Sequence, residues 1–163
     1  MIVYHGSTEI IKSPDVVHSK KYLDFGRGFY ITTFENQAKK WAVRKGMRQE
    51  KAAIVNVYEL AEEWDDFNVL SFEKENEKWL DFVCACRKGQ PLNKEYDIII
   101  GNVADDDVFK TVDMYFRGLW DKEKVLDELR YYKMNNQICI VNQETLNRVI
   151  TFKRAYEVEN NGR

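Results

Sequence analysis

Glycine meets aromatic residues twice in the first thirty positions, once beside a histidine. His5 follows a short apolar run and precedes Gly6 and Ser7. A histidine at a strand end is held by a rigid backbone and can give a directed hydrogen bond. The glycine after it has no Cβ, so a ligand can come close to the main chain. Residues 24–32 read Asp-Phe-Gly-Arg-Gly-Phe-Tyr-Ile-Thr. Gly26 and Gly28 flank Arg27 in a turn able to expose backbone groups. Phe29 and Tyr30 follow it and must point to opposite faces of a strand, one inward and one toward a cleft. Each cluster alone also fits a plainer account, a buried strand-end histidine and an ordinary β-turn.

The other reactive residues are sparser. His18 lies in a polar stretch without an evident partner and reads as a surface histidine. Cys84 and Cys86 are two apart on an expected helix, so they face different ways and no metal site is expected there. The chain has no GxxxxGK[ST], GxSxG, HExxH or paired CxxC motif. Asp105, Asp106 and Asp107 are either acidic residues opening a helix, which its dipole favours, or a source of a catalytic carboxylate. Between residues 39 and 51, Lys39, Lys40, Arg44, Lys45, Arg48 and Lys51 are opposed only by Glu50. Lys40, Arg44 and Arg48 repeat every four residues, a stripe that suits a polyanion or simply a solvated helix face.

These residues need elements to position them. Apolar runs predict strands at 2–5, 29–32, 52–60, 67–72, 96–103, 137–141 and 149–152. Thr32 and Glu35 have capping-box spacing, and Phe34, Ala38, Trp41, Ala42 and Lys45 then share one helical face. Trp79, Phe82, Val83 and Cys86 form another helical stripe. Val108, Val112 and Tyr115 form a third, and Val125, Leu129 and Tyr132 a fourth. Strands and helices mix without regular alternation and without a Rossmann glycine fingerprint, which predicts α+β rather than a doubly wound parallel sheet.

Composition narrows the function classes. The chain has 163 residues, 44% hydrophobic and 32% charged, with 8 glycines and 2 prolines. That predicts one folded domain over residues 1–163 and excludes a disordered or collagen-like chain. The formal net charge of −2 gives no global field for nucleic acid. No apolar stretch is long enough to span a bilayer, and the first residues lack the pattern of a signal peptide. An odd count of 3 cysteines without framework spacing points to a reducing compartment, so a cytoplasmic location is expected.

Three blocks in order carry a further signal: Tyr-His-Gly-Ser at 4–7, Gly-Arg-Gly-Phe-Tyr at 26–30 and Asn-Gln-Ile-Cys-Ile-Val at 136–141. Together they resemble the ADP-ribosyltransferase superfamily, in its His-Tyr-Glu branch of poly(ADP-ribose) polymerases and diphtheria-toxin-like enzymes. The stretch Tyr-Asp-Ile-Ile-Ile-Gly-Asn-Val-Ala-Asp-Asp at 96–106 resembles a compact bacterial toxin-like family whose members are thought to be encoded beside small antitoxin-like partners. The resemblance implies a split β-sheet core around an NAD cleft, with NAD as substrate, no metal, no membrane, and a macromolecular acceptor.

It also implies roles. Gly6 would hold the nicotinamide carboxamide by its backbone, and Tyr30 and Trp41 would sandwich the cationic ring. His5 would bond a hydroxyl of the adenosine ribose, with Ser7 nearby and Arg27 in the cofactor-binding turn. Two positions depart from the pattern. Gln137 stands where the family has its catalytic glutamate, and Ala38 where polymerase-type enzymes often have a serine. A glutamine can orient the ribose but supplies neither negative charge nor a general base. Three accounts follow: the acceptor needs no base, another carboxylate (Glu35 or one of Asp105–Asp107) substitutes, or the protein binds NAD without transfer. The implied function is ADP-ribosyl transfer to protein or nucleic acid; a non-catalytic NAD or ADP-ribose module and an NAD glycohydrolase are the alternatives.

Overall fold

The computed structural model describes residues 1–19, 23–104, 106–129 and 135–159. They form an α+β fold with two sheets. The first sheet has the order β1-β3-β7, all antiparallel, from β1 (Ile2–Ser7), β3 (Ile54–Leu60) and β7 (Ile150–Glu157). The second has the order β2-β6-β5-β4, from β2 (Phe29–Ile31), β6 (Gln137–Ile140), β5 (Ile98–Gly101) and β4 (Val69–Ser71). Only the β4–β5 pair in it is parallel, which a crossover through α2 (Glu77–Arg87) permits. The sheets are joined where Tyr4 and Thr32 exchange backbone hydrogen bonds of 2.9 and 3.0 Å.

Alternation along the strands sorts side chains into three packed layers. Val3 on β1, Tyr58 and Leu60 on β3, Phe29 and Ile31 on β2, and Ile138 and Ile140 on β6 fill the space shared by the sheets. Each large apolar side chain buried there contributes about 1.5–3 kcal/mol. The opposite face of the second sheet, carrying Ile99 and Cys139, is covered by Trp79, Leu80 and Val83 of α2. Val108 and Val112 of α3 (Asp106–Phe116), and Val125 and Leu129 of α4 (Lys122–Leu129), complete that cover. On the far side of the first sheet, Ala38 and Ala42 of α1 (Glu35–Gln49) lie on Val55 and Val57.

The sequence reading needs correction at several ends. Phe34, not Thr32, precedes the first turn of α1, and no side chain caps it. Thr32 Oγ1 instead accepts from Phe34 N and donates to Asn136 Oδ1, so its hydroxyl ties β2 to the start of β6. The buried stripe of α1 is Ala38, Ala42 and Gly46, while Phe34 is 42% exposed. Small residues occupy that stripe because the helix must lie close on the sheet. A helix absent from the expectation, α5 (Gln143–Val149), follows β6 and is capped by Asn142, whose side chain accepts from Thr145 N. It carries few apolar residues, so periodicity could not announce it. Tyr132 lies outside the described residues. No helix among the described residues is long and apolar enough to cross a membrane.

Candidate functional site

β1 and β2 bring the first two sequence blocks into contact. His5 Nδ1 lies 2.6 Å from Tyr30 O, and its ring stacks on Phe29 with centroids 4.5 Å apart. A carbonyl only accepts, so the ring proton is on Nδ1. Burial, then the charge of Lys45, pushes the His5 pKa down to about 3. The ring is therefore neutral near pH 7, with Nδ1–H donated to Tyr30 and Nε2 left as a hydrogen-bond acceptor. The natural complement of that nitrogen is a hydroxyl donor.

Gly6 is buried against α1. A Cβ there would stand 2.3 Å from Ala38 O, 2.7 Å from Ala42 N and 3.0 Å from Trp41 Cβ. Glycine is required because the helix backbone occupies the side-chain position. The Gly6 carbonyl accepts from Lys45 Nζ at 2.9 Å. Lys45 thus reaches the β1 backbone from the helix face it shares with Ala38 and Ala42. Trp41 is half-buried at this contact, and Ser7 Oγ accepts from Glu9 N at 3.4 Å.

The 26–28 turn is anchored from below. Gly26 has φ +74°, the left-handed region that favours glycine, and Asn93 Nδ2 donates to Arg27 O at 3.0 Å. The Arg27 side chain is exposed. Phe29 packs inward at 4% exposed, while Tyr30 emerges on the helix-covered face of β2, opposite the His5 ring. Its hydroxyl donates to Gly26 O and accepts from Phe25 N, closing the turn onto the strand. Burial raises the Tyr30 pKa well above the usual phenol value.

Gln137 pairs with Gly101 across β6–β5, and alternation puts it on Tyr30's face of the sheet, with Cys139 between them in the register. It is 4% exposed. Its amide does not reach toward the His5 ring. It donates to Asp24 Oδ2 at 3.0 Å and to Asn102 O at 3.3 Å. Asp24 in turn accepts from Arg87 Nε at 3.0 Å, from Arg87 Nη2, and from Ala104 N at 3.0 Å. Asp24 and Arg87 were given no role by sequence reasoning. The available hint was a neutral amide in a position where the resembling family has a carboxylate.

The remaining candidates lie elsewhere. Glu35 accepts from Tyr156 Oη at 2.5 Å and sits 4.0 Å from Lys39. Asp105 lies outside the described residues, as do the side chains of Asp106 and Asp107. Lys40, Arg44 and Arg48 are exposed on α1. His18 does have a partner: its Nδ1 lies 2.6 Å from Asp15 Oδ2. Cys86 and Cys139 are buried, and burial pushes each thiol up to about 12, so both stay protonated. Among the described residues no group of three or more His, Cys, Asp or Glu side chains could hold a metal ion.

No curated protein matches this chain. Residues 1–152 match the family described as "Protein of unknown function (DUF3990)", and the chain belongs to that family.

Proposed function

We propose that this protein transfers ADP-ribose from NAD to a cellular macromolecule, as a toxin-like mono-ADP-ribosyltransferase. The observation that carries the reading is the neutral His5 ring. Its Nδ1 proton is donated to Tyr30 O, which leaves Nε2 as an acceptor. Such a nitrogen suits a ribose hydroxyl. The reading assigns the nicotinamide to the aromatic faces of Tyr30 and Trp41, its carboxamide to the Gly6 backbone, and the approach of the diphosphate to Arg27 and Ser7.

In the reaction the bond between nicotinamide nitrogen and ribose C1′ breaks, and nicotinamide leaves with the bonding electrons. The ribose passes through an oxocarbenium-like state. The acceptor's lone pair then forms the new bond to C1′, and its proton is lost to water. Gln137 cannot take that proton, so the acceptor is nucleophilic without a base, brings its own, or is served by another carboxylate such as one of Asp105–Asp107. An antitoxin-like partner would belong to this reading, and a cytoplasmic acceptor would be its target.

A second reading, a non-catalytic NAD or ADP-ribose module, is favoured by one observation: the Gln137 amide is already committed to Asp24 and Asn102. A glycohydrolase is the same chemistry with water as acceptor. One experiment separates the three. The protein is incubated with NAD labelled in the adenylate and with a cell lysate. Label on protein or nucleic acid supports transfer, free ADP-ribose supports hydrolysis, and intact bound NAD supports the module. No binding and no turnover would contradict all three.

A further inference from the structure

The Gln137 amide has a fixed orientation. Both protons on Nε2 are used, one on Asp24 Oδ2 and one on Asn102 O. Exchanging the amide's oxygen and nitrogen would set acceptor against acceptor at both contacts. Oε1 accepts no hydrogen bond from a described residue, and among those residues no fully buried side-chain oxygen lacks a partner. Oε1 is therefore the end turned away from Asp24, and it is not sealed. It presents what a glutamate would present to a hydroxyl, a single acceptor oxygen.

The charge that glutamate would have carried is not missing from the cluster. It is held at Asp24, behind the amide. Asp24 is 8% exposed, and among the described residues its cationic partner is Arg87, in a buried pair. A glutamate at position 137 would set a second carboxylate about 3 Å from Asp24 Oδ2, while the Arg87 guanidinium is engaged on Asp24 Oδ1. Two carboxylates so close cannot both ionise without a large cost. Asp24 thus gives a physical reason for glutamine at this position.

We propose that Asp24 is a positioning residue. In this account it holds the Gln137 amide with Nε2 inward and Oε1 outward, and it replaces the charge usually borne by residue 137 with one placed behind it. The proposal rests on the reading of the protein as an NAD-cleaving enzyme. It makes position 24 and position 137 a single unit in which one carboxylate and one amide belong together, in either order.

The test uses the whole chain with Asp24→Asn, Gln137→Glu and the double variant, reading thermal unfolding from pH 5 to pH 8 and nicotinamide release from NAD. At pH 7.5, Gln137→Glu should lower Tm by about 5 °C or more. The loss should shrink toward pH 5, as one proton shared by the two carboxylates relieves their repulsion. This variant keeps the Asp24–Arg87 pair, so it reports even if Asp24→Asn does not fold. Asp24→Asn should slow nicotinamide release about tenfold at unchanged KM. Adding Gln137→Glu to it should restore both Tm and release above the Asp24→Asn level. A pH-independent Tm loss in Gln137→Glu, additive Tm losses in the double variant, or recovery of Tm without recovery of release would each overturn the proposal while leaving transfer intact. No release by the wild-type chain would overturn the proposed function, and the positioning role with it.

Discussion

Two polar regions of this molecule are built from opposite logic. At the end of β1, His5 and Gly6 meet Tyr30 and α1 with one ring nitrogen left to accept a bond. At the start of β6, the Asp24 carboxylate binds Arg87, Ala104 N and the Gln137 amide nitrogen, which also bonds Asn102 O, while Gln137 Oε1 is left over. The first region is held by backbone: a strand end, a glycine pressed under a helix, a carbonyl that fixes a histidine tautomer. The second is held by charge between side chains on a turn, a helix and a strand. A site that must admit a ligand keeps an unmatched acceptor on a rigid frame. A cluster that orients one group spends its hydrogen bonds internally and tolerates little change.

The sharpest break in that comparison is Arg87→Ala. It leaves the Asp24 carboxylate buried without its cation, and loss of one member of such a pair costs about 3–5 kcal/mol. Urea unfolding measures it. A loss below about 1 kcal/mol would mean that the cluster is solvated and no more demanding than the surface.

Gly6→Ala comes next. The added Cβ meets Ala38 O and Ala42 N, both backbone, so α1 must lift from β1 rather than shift a side chain. Overpacking of this kind costs about 1–3 kcal/mol. Thermal unfolding that matches wild type would show that the helix is not seated on this strand.

His5 gives a smaller effect with a defined sign. Its folded pKa, about 3, lies below the 6.5 of the free ring. The stability from keeping the ring neutral is complete above pH 6.5 and is lost as pH falls toward 3, because the unfolded chain takes up the proton first. Between pH 7 and pH 5 the loss amounts to about 2 kcal/mol. His5→Gln should flatten the unfolding midpoint over that interval. A wild-type midpoint already flat from pH 7 to pH 5 would place the ring in water.

The two regions also differ in how far the sequence discloses them. The histidine and the glycine turn are written in contiguous residues, 4–7 and 26–30, so local chemistry announced them, although β1 continues past His5 to Ser7 instead of ending there. The strands at residues 54–60 and 98–101 were legible for the same reason, as apolar runs long enough to be buried. The Asp24–Arg87 pair joins residues 63 positions apart, and Gln137 reaches Asp24 across 113. Neither separation leaves a periodic trace. Asn136 was equally silent, although its side chain and carbonyl bind Thr32, Thr33 and Gln37 and so place β6 against the start of α1. Expecting a capping box at Thr32 failed because α1 starts two residues later: the Thr32 oxygen accepts from Phe34 N, and its proton goes to Asn136.

The most direct test of the account is calorimetric titration of NAD into the wild-type chain and into His5→Ala, Tyr30→Ala and Lys40→Ala. Loss of aromatic stacking on a cationic ring costs about 0.5–2 kcal/mol, and loss of one hydrogen bond about 0.5–1.5 kcal/mol. The account predicts saturable binding by wild type, weakened several-fold in His5→Ala and Tyr30→Ala and nearly unchanged in Lys40→Ala, whose side chain is exposed on α1. Absence of NAD binding by wild type, or wild-type affinity in His5→Ala and Tyr30→Ala, would contradict it.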